Sequence, residues 1–190
     1  INYYSSIYPM QKLHFPPIAG LAFMAILFSA CNASRIVSPL DPGEWRVGAA
    51  LGGPTVNTSR LPLISMYAAH GRNEHSSDYA GLSLSSLGFQ TIQVDAGRLH
   101  RLLPQQGLRP ELNANIGGNL MVGLRDGATR VYPHLGNQLV WSHHHWLPYI
   151  GHEMWIDPTY RLVDNQKGSL LHPSLHSGLR YVGKRFEFGV

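Results

Sequence analysis

The stretch ELNANIGGNLMVGL, residues 111–124, alternates strictly enough to decide the fold class. Leu112, Ala114, Ile116, Leu120 and Val122 fall on one face, and Asn113, Asn115, Gly117 and Asn119 on the other. A period of two sustained over that length is a β-strand whose two faces meet different surroundings. EWRVGAALGG repeats the pattern, with Trp45, Val47, Ala49 and Leu51 opposite Arg46, Gly48, Ala50 and Gly52. In SLGFQTIQVDAG, Ile92 and Val94 oppose Thr91, Gln93 and Asp95; in TRVYPHLGNQLVWSH, Val131, Leu135, Leu139 and Trp141 oppose His134, Gly136, Gln138 and Ser142.

Turn-rich pieces such as GGPTVNTSR, HGRNEHSSD, LLPQQGLRP, LRDGAT and DNQKGS separate these runs. Strands are expected at 44–53, 61–71, 79–86, 88–97, 111–123, 130–142, 145–156, 174–182 and 184–190, with hardly any amphipathic helix. The fold class is therefore all-β: one antiparallel up-and-down β-barrel of about 8–10 strands. Soluble sandwiches favour strands of about 5–6 residues, whereas about 9–11 residues cross a bilayer as a tilted strand. The longer runs point to a transmembrane barrel. Such barrels in bacteria have even strand numbers, so nine runs imply one wrong boundary or one missing strand if the sheet closes.

Alternation alone leaves open which face is wet, since a soluble barrel turns its apolar face inward and a membrane barrel turns it outward. Small residues on the polar face suit a crowded lumen: Gly48, Ala50, Gly52, Gly117, Gly136 and Gly151. Trp45, Tyr67, Tyr79, Tyr132, Trp141, Trp146, Tyr149, Trp155 and Tyr181 are candidates for the aromatic girdles of a membrane barrel. Charged residues make up only 14% of the chain, against about 25% in soluble domains. The net charge of +4 is spread out, with no basic run longer than Lys184-Arg185. That pattern lacks a nucleic-acid footprint.

Ahead of the barrel, Ile18 to Phe28 is apolar, preceded by Lys12 and His14 and followed by Ser29 and Ala30. This is the layout of a secretory signal, at roughly half the length of a membrane-spanning helix. Met10 is its natural start, which makes 1–9 an upstream extension, 10–30 the signal peptide, 31–43 a polar, proline-containing tether and 44–190 the barrel. The sequence Leu27-Phe28-Ser29-Ala30-Cys31 resembles the lipobox of bacterial lipoproteins, with Phe28 where that pattern has an aliphatic residue. The resemblance implies that Cys31 carries the lipid and is the mature N-terminus. An ordinary signal cut near Ala30 or Ala33 is the alternative. Cys31 is the only cysteine, so no disulfide forms within the chain.

The pattern over 44–190, with a terminal hairpin bearing Phe186 and Phe188, resembles small outer-membrane β-barrel proteins of Gram-negative bacteria. This implies a place in the outer membrane, lipid-anchored through Cys31, with membrane lipid as its surroundings. Val190 stands where such barrels end on an aromatic residue.

Three kinds of function are compatible with the residues. A structural or binding role would use loops 71–78 and 157–173 to contact a partner. A lipid-modifying enzyme would draw on Ser83, Ser85, Ser142, His134, His152, Glu153 or Asp95, but no G-x-S-x-G elbow is present, because GLSLS carries Ser85 at its last position. No serine is paired with a histidine by the sequence, and no catalytic residue is assigned. Eleven histidines raise a metal site, with His143, His145 and His152 as weak candidates; HExxH is absent, since HEMWI ends on Ile156. No cofactor or metal is expected. A soluble, lipid-tethered barrel binding a small ligand inside is the runner-up.

Overall fold

The computed structural model describes residues 35–52, 63–158 and 169–190. The segments expected as upstream extension (1–9) and signal peptide (10–30), and Cys31, lie outside the described residues. Nine strands follow in order: β1 (Trp45–Gly52), β2 (Leu63–Asn73), β3 (Ser76–Ser83), β4 (Thr91–Leu103), β5 (Glu111–Gly123), β6 (Thr129–Val140), β7 (Trp146–Ile156), β8 (Leu171–Val182) and β9 (Phe186–Gly189). A short 3-10 helix, Leu84–Phe89, lies between β3 and β4.

Each strand pairs antiparallel with the next, and β9 pairs parallel with β1, so the sheet closes into a barrel. The expectation of an even count is corrected here: a meander of nine strands brings first and last into the same direction, and a parallel seam closes it. That seam is short, joining Val47 through Ala50 to Phe186 through Gly189.

One end of the barrel, the turn end, carries the connections 74–75, 104–110, 141–145 and 183–185. The other, the loop end, carries 84–90 and 124–128, together with the end of β1 at Gly52, the start of β2 at Leu63, the end of β7 at Ile156 and the start of β8 at Leu171. Of the loop expected over 71–78, most is strand, because Asn73 Oδ1 accepts from the His75 N–H (2.9 Å) and the Ser76 hydroxyl (2.9 Å) and so closes a tight turn. The loop expected over 157–173 gives its last residues to β8, with the Asp157 N–H donating to the Leu170 carbonyl at its base (2.9 Å).

The alternating apolar set faces out. Trp45, Val47, Ile116, Val131, Leu135 and Leu175 are each at least half exposed, while Asn113, Asn119, His134, Gln138, Glu153 and Arg180 are buried. The inside is not empty. Arg35 through Leu40 enters the lumen, and at Asp41 to Glu44 the chain reverses into β1, with Gly43 at φ +78°. The reversal is held by hydrogen bonds from Gly43 N–H to Gly71 O (2.8 Å) and from Gly71 N–H to Glu44 O (2.9 Å). Residues 35–40 of the expected tether are therefore interior, and their side chains centre both apolar clusters. Ile36 and Leu40 pack with Tyr67, Ala69, Tyr79 and Leu99; Val37 packs with Val140, Leu147 and Tyr149.

Candidate functional site: a polar, plugged lumen

Large lumenal side chains need room that a narrow barrel lacks, and the register supplies it with glycine. Tyr67 lies opposite Gly48, Tyr79 opposite Gly97, His134 opposite Gly117, Glu153 opposite Gly136, His176 opposite Gly151, Tyr149 opposite Gly178 and Arg180 opposite Gly189. A Cβ at Gly97 would sit 2.5 Å from the Tyr79 hydroxyl, and one at Gly117 would sit 2.8 Å from the His134 ring. Neither pair tolerates a side chain on both strands.

Within that space a polar network crosses five strands. Gln93 (β4) donates through Nε2 to Asn119 Oδ1 (β5) at 3.0 Å, and Asn119 Nδ2 meets His134 Nδ1 (β6) at 3.3 Å. The amide thereby donates to Nδ1 and leaves the imidazole proton on Nε2. That nitrogen lies 3.1 Å from the Tyr79 hydroxyl (β3) and 3.5 Å from Glu153 Oε1 (β7). The indole N–H of Trp155 donates to Glu153 Oε2 at 2.7 Å, and its ring stacks on His134 with centroids 5.8 Å apart.

A second cluster braces the parallel seam. The Arg180 guanidinium, fully buried, lies 3.7 Å from Glu187 and 3.4 Å from the Tyr67 hydroxyl, with the Tyr67 and Tyr149 rings each 5.7 Å away. Arg46 reaches Glu187 from the other side at 3.5 Å and holds Glu44 at 2.7 Å. Strands β7, β8, β9, β1 and β2 are thus tied from inside where the sheet itself contributes few hydrogen bonds.

A third set holds the interior segment. Arg35 forms a bidentate pair with Asp95, its Nε lying 2.8 and 2.9 Å from the two carboxylate oxygens and its Nη2 also bonded. Gln138 Nε2 donates to the carbonyls of Ile36 (3.1 Å) and Val37 (3.0 Å), and Asn113 Nδ2 donates to Val37 O at 2.7 Å. The Ser38 hydroxyl donates to Glu111 (2.7 Å), and the Leu40 N–H donates to Ser77 Oγ (2.8 Å). The wall reads mostly main-chain groups here, with one charged side chain singled out.

Of the residues considered for catalysis, His134, Glu153 and Asp95 are lumenal, but they are not joined to the serines. The hydrogen-bond partners of the His134 ring are Tyr79 and Asn119. Ser85 sits at the loop end, where its Oγ accepts from the Ile64 N–H (3.0 Å), Ser83 is buried near it, and Ser142 is in a turn at the opposite end. His152 is on the outer face of β7, across from Asn137. His143 and His145 do not share a strand face as expected. They flank His144, whose φ of +55° marks a hairpin turn closed by reciprocal bonds between His143 and Trp146 (2.9 Å each). Among the described residues, no three His, Cys, Asp or Glu side chains are grouped as metal ligands.

Tyr67, Tyr79, Tyr149 and Trp155, expected in girdles, belong instead to the lumenal face. Their phase was available in the sequence, since Tyr79 shares its parity with Ser77, Gly81 and Ser83. The role of 35–40 carried no such signal. At the loop end a cavity of about 380 Å³ opens beside Phe89, Thr91, Met121, Arg125, Arg130 and Tyr132. Compared with family models, curated proteins and solved structures, the chain matches none of them.

Proposed function

We propose that this chain is a small outer-membrane β-barrel lipoprotein, anchored through Cys31, whose filled lumen suits a structural or partner-binding role rather than passage of solutes. The observation that carries this reading is the polarity of the wall: apolar side chains cover the outside, while the buried charged and polar side chains lie inside, around two small apolar clusters. In water such an exterior is costly, whereas in a bilayer it is the favourable arrangement.

Further features support it. The longer strands, 11 to 13 residues, would rise roughly 25–30 Å at about 3.3 Å per residue and a tilt near 45°, comparable to the apolar band of membrane barrels. Trp45, Trp146, Tyr181 and Phe186 all lie at the turn end of their strands, as an interfacial girdle would. Charges on the outer wall gather towards that same end and pair with one another, Asp78 with Arg98 (2.6 Å) and with Arg72 (3.4 Å). No helix among the described residues is long and apolar enough to cross a membrane, a statement that bears on helices alone. The soluble, ligand-binding alternative calls for the opposite polarity, and the lipid-modifying alternative calls for a nucleophile beside His134.

Gel mobility of the membrane-extracted protein with and without boiling tests the proposal. A closed membrane barrel resists detergent until heated, so a heat-dependent shift is expected, together with continued need for detergent in the Cys31→Ser variant. No shift, with release of Cys31→Ser into buffer, would refute it.

A further inference from the structure

All of Arg35 through Leu40 except the half-buried Ser38 is buried, yet the segment belongs to no strand. Its polar contacts come from β3, β4, β5 and β6 and its apolar ones also from β2 and β7, and it takes part in none of the wall's strand pairings. The strand ladder closes without the segment, whereas the segment's partners all belong to the wall. We propose that Arg35–Leu40 is a detachable plug, latched by the Arg35–Asp95 pair, whose release opens the turn-end half of the lumen to water while the barrel stays closed.

Three features make this contact a latch and not simply part of the core. First, recognition is lopsided. Ile36 and Val37 are held through main-chain carbonyls that water would satisfy equally well, so those bonds contribute little net preference for the docked state. Second, ordering a six-residue segment opposes burial of Ile36, Val37 and Leu40 with a term of similar size. Third, the one contact water does not replace evenly is the buried ion pair. Undocking with Arg35 in place separates two charges that meet as a fork, whereas loss of Arg35 leaves Asp95 buried without its guanidinium and favours a hydrated, open lumen. Gly81 reserves the space: a Cβ there would stand 2.7 Å from Arg35 Nε. The vestibule uncovered would be lined by Asp95, Glu111, Asn113 and Gln138. The proposal holds whichever solvent wets the outer wall.

The experiment uses the full chain with Cys31→Ser, so that one introduced thiol reports alone. Ala69→Cys places it on β2 in the apolar cluster around Ile36 and Leu40. A water-soluble, charged thiol reagent measures access, and the far-ultraviolet circular dichroism of the sheet measures whether the wall remains. Losing one partner of a buried pair shifts such an equilibrium by about 100-fold or more. Arg35→Ala should therefore speed labelling by about that factor with the sheet signal unchanged, and Arg35→Asp combined with Asp95→Arg should restore protection. Labelling of Arg35→Ala at the parent rate would overturn the latch. If Arg35→Ala loses the sheet signal, Arg35→Gln, which keeps much of the stem but removes the charge, decides: faster labelling of a folded barrel upholds the plug, and parent-like protection assigns the segment to the folding core and overturns it.

Discussion

Leu135 lies midway along β6 on the outer wall, 51% exposed, between Ile116 of β5 and Met154 of β7. In a water-surrounded barrel, Leu135→Arg removes an exposed apolar group and should change stability by less than about 0.5 kcal/mol. In a bilayer the same guanidinium sits near the depth where arginine costs about 2–4 kcal/mol. That difference corresponds to about a 30- to 900-fold loss in the folding equilibrium constant. Leu108→Arg is the matched control: Leu108 is 95% exposed but lies in the turn-end connection 104–110, beyond the strands, and its substitution should be near neutral in either setting. The assay is reversible urea unfolding into and out of phospholipid vesicles, followed by tryptophan fluorescence. Equal, small effects for the two variants would refute the assignment of the outer wall to lipid, whatever the gel mobility shows.

Neighbouring glycines on opposite faces of β5 give a second test. Gly117→Ala should cost about 1–3 kcal/mol by forcing His134 from its place, while Gly118→Ala, whose new carbon would find its nearest neighbour 3.9 Å away, should stay within about 0.5 kcal/mol; comparable urea midpoints for the two would contradict the lumenal packing. Arg180→Met leaves the buried Glu187 with only the 3.5 Å contact to Arg46 and should lose up to about 3–5 kcal/mol, and adding Glu187→Gln should recover part of it, since Arg46 keeps Glu44 as a partner. A double variant no more stable than the single one would show that the guanidinium acts through its packing on Tyr67 and Tyr149 instead.

The all-β class, the near-absence of helix and most strand positions were legible because a strand's side-chain period is local: β5 occupies 111–123 as read, and β1, β6 and β7 differ by a residue or two. Parity also carried the division of faces, including His134 and Gln138 opposite Leu135 and Leu139. Composition misleads where it departs from parity: Tyr67, Tyr79 and Tyr149 are aromatic like girdle residues but share the parity of lumenal positions. Strand β3 starts at Ser76, earlier than expected, because the polar SSD was read as loop, although a lumenal strand face is polar by construction.

What joins distant positions lay beyond local reading. Alternation determined that two unlike surroundings exist, and for each strand which residues share them. Only the tertiary structure decided that nine strands close through a parallel seam, since direction at closure depends on the count of strands and not on any residue in them. It likewise decided that Tyr79, Asn119, His134 and Glu153 meet over glycines of neighbouring strands, a consequence of register. Arg35 and Asp95 are 60 positions apart and Gln138 lies 102 beyond Ile36; a polar segment beside a proline reads as a tether until a closed wall surrounds it with partners for its main chain.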